Sequence, residues 1–122
     1  MSAKVLVVDD SGLARRSTRR VLEGAGYHVV EAEDGFSALE QYFVEKPAVV
    51  LLDLVMKGMY GLDVLSKLRE MDPSARVVVL SADIQSTSRD MVRAAGATGF
   101  LNKPAAAPDI VAAVEHALRE SA

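Results

Sequence analysis

At 122 residues, half of them hydrophobic and a quarter charged, the chain has the size of one domain and the balance of a globular rather than a disordered protein. It contains no cysteine, which excludes disulfides, thiolate metal sites and cysteine nucleophiles. Fourteen Lys and Arg against seventeen Asp and Glu give a formal net charge of −3, the opposite of the basic balance of a nucleic-acid binder.

The N-terminal Met-Ser-Ala-Lys carries no signal-peptide pattern and runs straight into the first apolar segment, over 5–8, which predicts a strand. A helix comes next, stopped by Gly24 and Gly26. A second strand is expected over 28–31, and Asp34-Gly35 starts a second helix in which Ala38, Leu39, Tyr42 and Phe43 fall one turn apart. The third strand, over 48–52, is the longest strongly apolar stretch; Asp53 interrupts it far short of a membrane span. Leu62, Leu65, Leu68 and Met71 then repeat every three residues in a helix closed by Asp72-Pro73. A fourth strand over 76–80, a helix closed by Gly96 and a fifth strand over 99–101 come next. Pro108 suits the first turn of a last helix, whose Ile110, Ala113, Val114, Ala117 and Leu118 form a one-sided stripe.

The first, third and fourth strands are nearly all apolar, as in strands covered on both faces. The expected fold is α/β: a doubly wound (βα)5 domain over 1–122 with right-handed crossovers around a five-stranded parallel sheet. The strand order 2-1-3-4-5 is the one known for open sheets of this kind, and spacing alone does not give it. A cytoplasmic location and no membrane association are expected.

The polar residues placed directly after the strands are the most informative feature. The first strand runs into Asp9 and Asp10, the third into Asp53, the fourth into Ser81 and the fifth into Lys103. In open parallel sheets, ligands bind beyond the carboxyl ends of the strands, so four separate segments deliver three carboxylates, a hydroxyl and an ammonium to one crevice. At about 4 Å and an effective dielectric of about 20, each like-charged pair costs on the order of 4 kcal/mol. Either some carboxyls stay protonated or a cation sits among them. All-oxygen ligation with positions left for water and a phosphate suits Mg²⁺, and the acidic spacing of a calcium loop is absent.

The segments VLVVDDS at 5–11, LLDLVM at 51–56, Gly61, LSA at 80–82 and GFLNKP at 99–104 occur in the order and spacing of a known family. The chain resembles the receiver domain of two-component response regulators over essentially its whole length, and is most similar to single-domain, chemotaxis-type members of flavodoxin-like fold. The resemblance implies that Asp53 is the phosphoacceptor, taking a phosphoryl group from a phosphohistidine. It implies Mg²⁺ held by Asp9, Asp10, Asp53 and the backbone carbonyl of Val55, with Lys103 and Ser81 contacting the phosphoryl oxygens. Ser81 and Phe100 would form the conformational switch, and the Lys103-Pro104 bond would be cis. The protein is then a phosphoacceptor regulator, with self-phosphotransfer and slow autodephosphorylation its only chemistry, rather than an enzyme.

Partners implied by the resemblance are a histidine kinase or histidine phosphotransfer domain, docked on the first helix through Arg15, Arg16, Arg19 and Arg20. With no effector domain expected in the chain, output would pass to a separate protein through the face of the fourth helix, fifth strand and fifth helix. Arg89, Arg93, Asn102, Ala106 and Glu115 are the candidates there. Lys57 stands where the family commonly has proline and Tyr60 where it commonly has aspartate. Val55 and Asp83 occupy positions that influence phosphoaspartate hydrolysis in relatives.

Plainer readings stand beside these. Ser81 could cap the fourth helix, and Asp34 reads as a helix cap rather than a metal ligand. His28 and His116 read as surface residues, and Met56, Met59, Met71 and Met91 as packing residues. The arginine cluster could be a solvated face, with Glu23 pairing Arg19 or Arg20. Among other function classes, a phosphatase of the haloacid dehalogenase type needs an acid at position 55, where Val55 stands. A flavin carrier needs a phosphate-binding first loop, where Asp9 and Asp10 repel an anion. A receiver-like binding module without phosphorylation would not need the intact acceptor set.

Overall fold

Strands and helices alternate throughout the computed structural model, which describes residues 3–54, 56, 61–82 and 86–120. The elements are β1 (Lys4–Val8), α1 (Gly12–Gly24), β2 (His28–Ala32), α2 (Gly35–Glu45), β3 (Val49–Asp53), α3 (Gly61–Met71), β4 (Val77–Ser81), α4 (Ser86–Ala94), β5 (Gly99–Asn102) and α5 (Ala107–Arg119). All strand pairs are parallel and their order is β2-β1-β3-β4-β5, as expected from the sequence.

Alternation along the buried strands divides the core in two. Leu6, Val8, Val50, Leu52, Val77 and Val79 meet Ala38 and Tyr42 of α2, Val64, Leu65 and Leu68 of α3, and Val92 of α4. On the opposite face, Val5, Val7, Val49, Leu51, Val78 and Leu80 meet Leu22 of α1 and Ile110, Val114 and Ala117 of α5. Every residue of β3 and β4 is buried. With each fully buried Val or Leu contributing about 1.5–3 kcal/mol, these two strands anchor the domain. Polar residues are pushed to the strand ends, where the functional groups lie.

Local signals set the helix limits. Ser11 caps α1 by accepting from the Ala14 amide, and Asp34 caps α2 by accepting from the Ser37 amide. The Asp34 carboxylate is thus a cap, as its sequence position suggests. Gly96 follows α4 with φ +102°, a conformation glycine adopts without strain.

Three residues expected to pack are exposed instead: Phe43, Met71 and Met91. A period of three falls short of the 3.6-residue helical turn, so nine residues on from Leu62 the Met71 side chain has rotated to the opposite face. Phe43 lies about 100° round the helix from Tyr42, which turns inward. Among the described side chains of α4 the buried apolar one is Val92, next to Met91. Met56 is buried as expected; Met59 lies outside the described residues.

Tyr42 ties α2 to the end of α3 by donating from its hydroxyl to Asp72 Oδ2 at 2.7 Å. Burial, then the bond to Asp72, pushes the Tyr42 hydroxyl well up. The same bond, with the Ser74 amide, holds the Asp72 carboxyl below its usual range. A carboxyl lowered by folding adds stability above its unfolded pKa, and that stability is lost as pH falls through the folded value. Tyr42→Phe is expected to cost about 1–2 kcal/mol at neutral pH. It should cost less below the carboxylate range, as urea unfolding at the two pH values will measure.

Candidate functional site

Asp9 and Asp10 follow β1, Asp53 ends β3, Ser81 ends β4, and Lys103 follows β5. Because β1, β3, β4 and β5 are successive neighbours in one parallel sheet, their carboxyl ends open on a single edge. Ligand oxygens of Asp9, Asp10 and Asp53 all lie within 4.8 Å of one another. Asp9 and Asp53 are buried and Asp10 is exposed.

Asp9 and the ends of β4 and β5 are held by backbone amides. Asp9 Oδ1 accepts from the Ser11 amide at 2.9 Å. The Lys103 amide donates to the carbonyl of Ser81 at 2.9 Å, joining the ends of β4 and β5. Ser81 is wholly buried at the end of β4. The Lys103 ammonium reaches back to Asp9 Oδ2 at 3.0 Å and Asp53 Oδ2 at 3.5 Å. Burial pulls its pKa down, but the bond to Asp9 and the charge of Asp53 outweigh that and leave it raised. Lys103 therefore stays cationic and balances one of three formal negative charges.

The remaining charge and the donor set fit a hard divalent cation. All three side-chain donors are oxygens, they lie close enough to share an ion, and Asp10 opens to solvent, so the ion would keep water ligands. Among the described residues, this is the group of acidic or histidine side chains placed to do so. Asp34, His28 and His116 take no part; His116 faces Glu120 at 3.0 Å on the surface of α5.

Two features behind the site act through the backbone. Gly61 donates its amide to the carbonyl of Leu54 at 2.9 Å. A Cβ on Gly61 would stand 2.6 Å from the Leu54 Cα and carbonyl oxygen and 2.7 Å from the carbonyl of Asp53. Arg15, which the sequence suggests only as a docking residue, has a structural task as well. Its Nη1 donates to the carbonyl of Asp9 at 2.7 Å and its Nε to Glu31 at 2.9 Å, so it fixes the loop that carries the acidic pair. The signal is an acid at the end of the neighbouring strand, which only the pairing of β1 with β2 brings near.

Arg19 pairs with both Glu23 and Glu31, whereas Arg16 and Arg20 are exposed. The arginine face is therefore half internal ion-pair network and half solvent-facing. Phe100 sits on β5, partly buried against the α2–α3–α4 cluster and beside a cavity of about 280 Å³. The Arg89 guanidinium lies over its ring, 5.4 Å from the centroid, with Nη2 donating to Asn102 Oδ1 at 3.4 Å. Arg93, Ala106 and Glu115 are exposed, and the Lys103-Pro104 bond is cis. Val55, Lys57, Tyr60 and Asp83 lie outside the described residues.

A doubly wound parallel α/β domain of this strand order, with a carboxylate cluster and a bridging lysine beyond its strand ends, has its ligand crevice where open sheets of this class place it. The family described as the response regulator receiver domain matches residues 5–115, and the chain belongs to it: it is a receiver domain of the two-component type. It is 36% identical over 105 residues to the chemotaxis protein CheY of Thermotoga maritima, covering 85% of this chain and 88% of that protein. It is also 36% identical over 121 residues to the response regulator MprA of Mycobacterium tuberculosis, covering 99% of this chain and 53% of the relative, about half its length. The structure of the CheX–CheY–BeF3–Mg complex of Borrelia burgdorferi superposes with a TM-score of 0.92 at 27% identity, covering 97% of this chain and 90% of that one.

Gly61→Ala is expected to destabilise the domain by about 1–3 kcal/mol, the usual cost of overpacking, because backbone rather than a flexible side chain stands in the way. Denaturant titration will check the stability.

Proposed function

We propose that residues 1–122 form a single receiver domain that acts as a phosphoaccepting switch, with Asp53 as the acceptor. The observation that carries this reading is the grouping of the Asp9, Asp10 and Asp53 oxygens within 4.8 Å, bridged by the Lys103 ammonium. One Asp53 carboxylate oxygen attacks the phosphorus of a phosphohistidine on a histidine kinase or phosphotransfer domain. The P–O bond forms as the P–N bond breaks, and the departing imidazole takes up a proton. Asp9, Asp10 and Asp53, with the backbone carbonyl of Val55, would hold Mg²⁺, which when bound supplies positive charge against the phosphoryl oxygens.

Lys103 then trades part of its contact with Asp9 and Asp53 for a phosphoryl oxygen, and the Ser81 hydroxyl donates to another. Movement at Ser81 is passed to Phe100, two strand positions before the Asn102 that pairs with Ser81 in the β4–β5 register. The cavity beside the ring supports this role. The altered surface is that of α4, β5 and α5, with Arg89, Arg93, Asn102, Ala106 and Glu115 offered to a separate effector. Arg16 and Arg20 form the exposed part of the kinase-docking face, with Arg15 and Arg19 behind them. The domain turns over no substrate beyond its own phosphorylation and slow autodephosphorylation, binds neither nucleic acid nor membrane, and acts in the cytoplasm. The CheY relative supports a role in chemotaxis.

Intact mass after incubation with a small-molecule phosphodonor tests the reading. One added phosphoryl group that requires Mg²⁺ and vanishes in Asp53→Asn is expected; an adduct that survives in Asp53→Asn would sink the assignment. Lys103→Met should slow formation of the adduct about 10–100-fold while leaving the fold intact, because it removes a charge aimed at the transferred group. A time course of the same mass measurement, alongside circular dichroism, will show this.

A further inference from the structure

A chain of charges runs from the edge strand to the loop that carries Asp9 and Asp10. Arg15 Nη1 donates to the carbonyl of Asp9 at 2.7 Å, and Arg15 Nε donates to Glu31 Oε1 at 2.9 Å. Arg19 Nη1 donates to the other carboxylate oxygen, Glu31 Oε2, at 2.7 Å. Glu31 lies on β2 in register with Val7 of β1. It follows Val29 of the α1–α5 layer by two residues, so its side chain stands on the face of the sheet that α1 covers. The side chains of Arg15 and Glu31 are only 16% and 22% exposed, and charges buried to that degree are costly to leave unpaired.

The backbone around Asp9 has three ties. Its amide donates to the carbonyl of Ala32 at 3.2 Å, its Oδ1 accepts from the Ser11 amide at 2.9 Å, and its carbonyl accepts from Arg15. That carbonyl belongs to the peptide plane joining Asp9 to Asp10. Turning the plane would swing the Asp10 carboxylate relative to that of Asp9, so Arg15 sets the angle between two of the three acids. Arg15 is in turn fixed by Glu31, because a planar guanidinium fork serves the carbonyl and the carboxylate at once.

We propose that Arg15 and Glu31 are positioning residues for cation binding: Glu31, which lies outside the acidic cluster, sets the affinity of that cluster for Mg²⁺ by holding Arg15 on the Asp9 carbonyl. The inference rests on the reading of Asp9, Asp10 and Asp53 as a Mg²⁺ site and adds two residues that are not ligands. Groups that orient metal ligands typically change metal affinity about 10–100-fold when removed. Charge alone predicts the reverse for Arg15, since a cation beside three carboxylates opposes the binding of another. The sign of the effect therefore separates positioning from simple electrostatics.

Mg²⁺ titration of the full chain, followed by amide NMR shifts at residues 9–11, measures the affinity, with circular dichroism confirming the fold of each variant. Arg15→Gln is expected to weaken Mg²⁺ binding about tenfold although it removes a positive charge. Arg15→Lys keeps the charge but lacks the fork that reaches both acceptors, and should weaken binding severalfold. Glu31→Ala should also weaken it severalfold. The double variant Arg15→Gln/Glu31→Ala should be no weaker than Arg15→Gln alone, because both changes act through one contact. If Arg15→Gln does not fold, Arg15→Lys and Glu31→Ala decide the matter between them. Unchanged or tighter binding in Arg15→Gln, wild-type affinity in Arg15→Lys, or recovery of wild-type affinity in the double variant overturns the proposal. A wild-type chain with no Mg²⁺-dependent shift overturns it together with the metal reading. Wild-type binding that falls on Asp53→Asn but not on Arg15→Lys or Glu31→Ala overturns the proposal alone.

Discussion

The ion pair that Lys103 makes with Asp9 at 3.0 Å and Asp53 at 3.5 Å draws the last strand of the sheet to its two central ones. It crosses the end of β4, where Ser81 is wholly buried. The interior behind it is two layers of Val and Leu that tolerate no unpaired charge. Along the buried strands carboxylates can be placed only at the ends, and three placed there together repel one another unless cations join them. One ammonium is built in. The rest of the deficit leaves a charge that a hard divalent cation would fit.

The supports of this cluster are mostly backbone. The Ser11 amide fixes Asp9, the carbonyl of Asp9 is held by Arg15, and the strand carrying Asp53 passes so close to Gly61 that no side chain fits between them. Such positions rigidify the acidic groups without crowding the space in front of them, which leaves Asp10 open to solvent. On the proposed phosphoacceptor reading, a rigid, solvent-open carboxylate cluster suits repeated charging and discharging, because little of the domain must reorganise around it. Further along the sheet, on β5, Phe100 has a cavity on one side and Arg89 over its face.

Much of this is legible in the residues alone. Uninterrupted apolar strands leading at once into Asp9-Asp10, Asp53, Ser81 and Lys103 mark both the sheet and the edge where chemistry collects, because side-chain burial and strand direction follow from local pattern. Pattern does not supply tertiary pairing. The attachment of Arg15 to the loop of Asp9, and of Arg19 to Glu31, depends on β2 lying beside β1, and nothing in the spacing of the arginines announces it. Nor does apolar character by itself say which way a side chain turns. Met71 falls on the wrong side of α3 because its three-residue spacing drifts off the helical period, and Phe43 points outward from a helix whose inner face is already filled by Ala38 and Tyr42.

The two edge strands have a consequence for how the protein behaves at high concentration. An open sheet ends in strands with unpaired backbone groups, and these invite further strands and, in the end, aggregation. Here β5 is only four residues long, and β2 carries Glu31 with two arginines drawn over it. Short or charge-clamped edges are poor templates for adding strands. Neither edge therefore offers a long, bare run of backbone to which the strand of a second molecule could add.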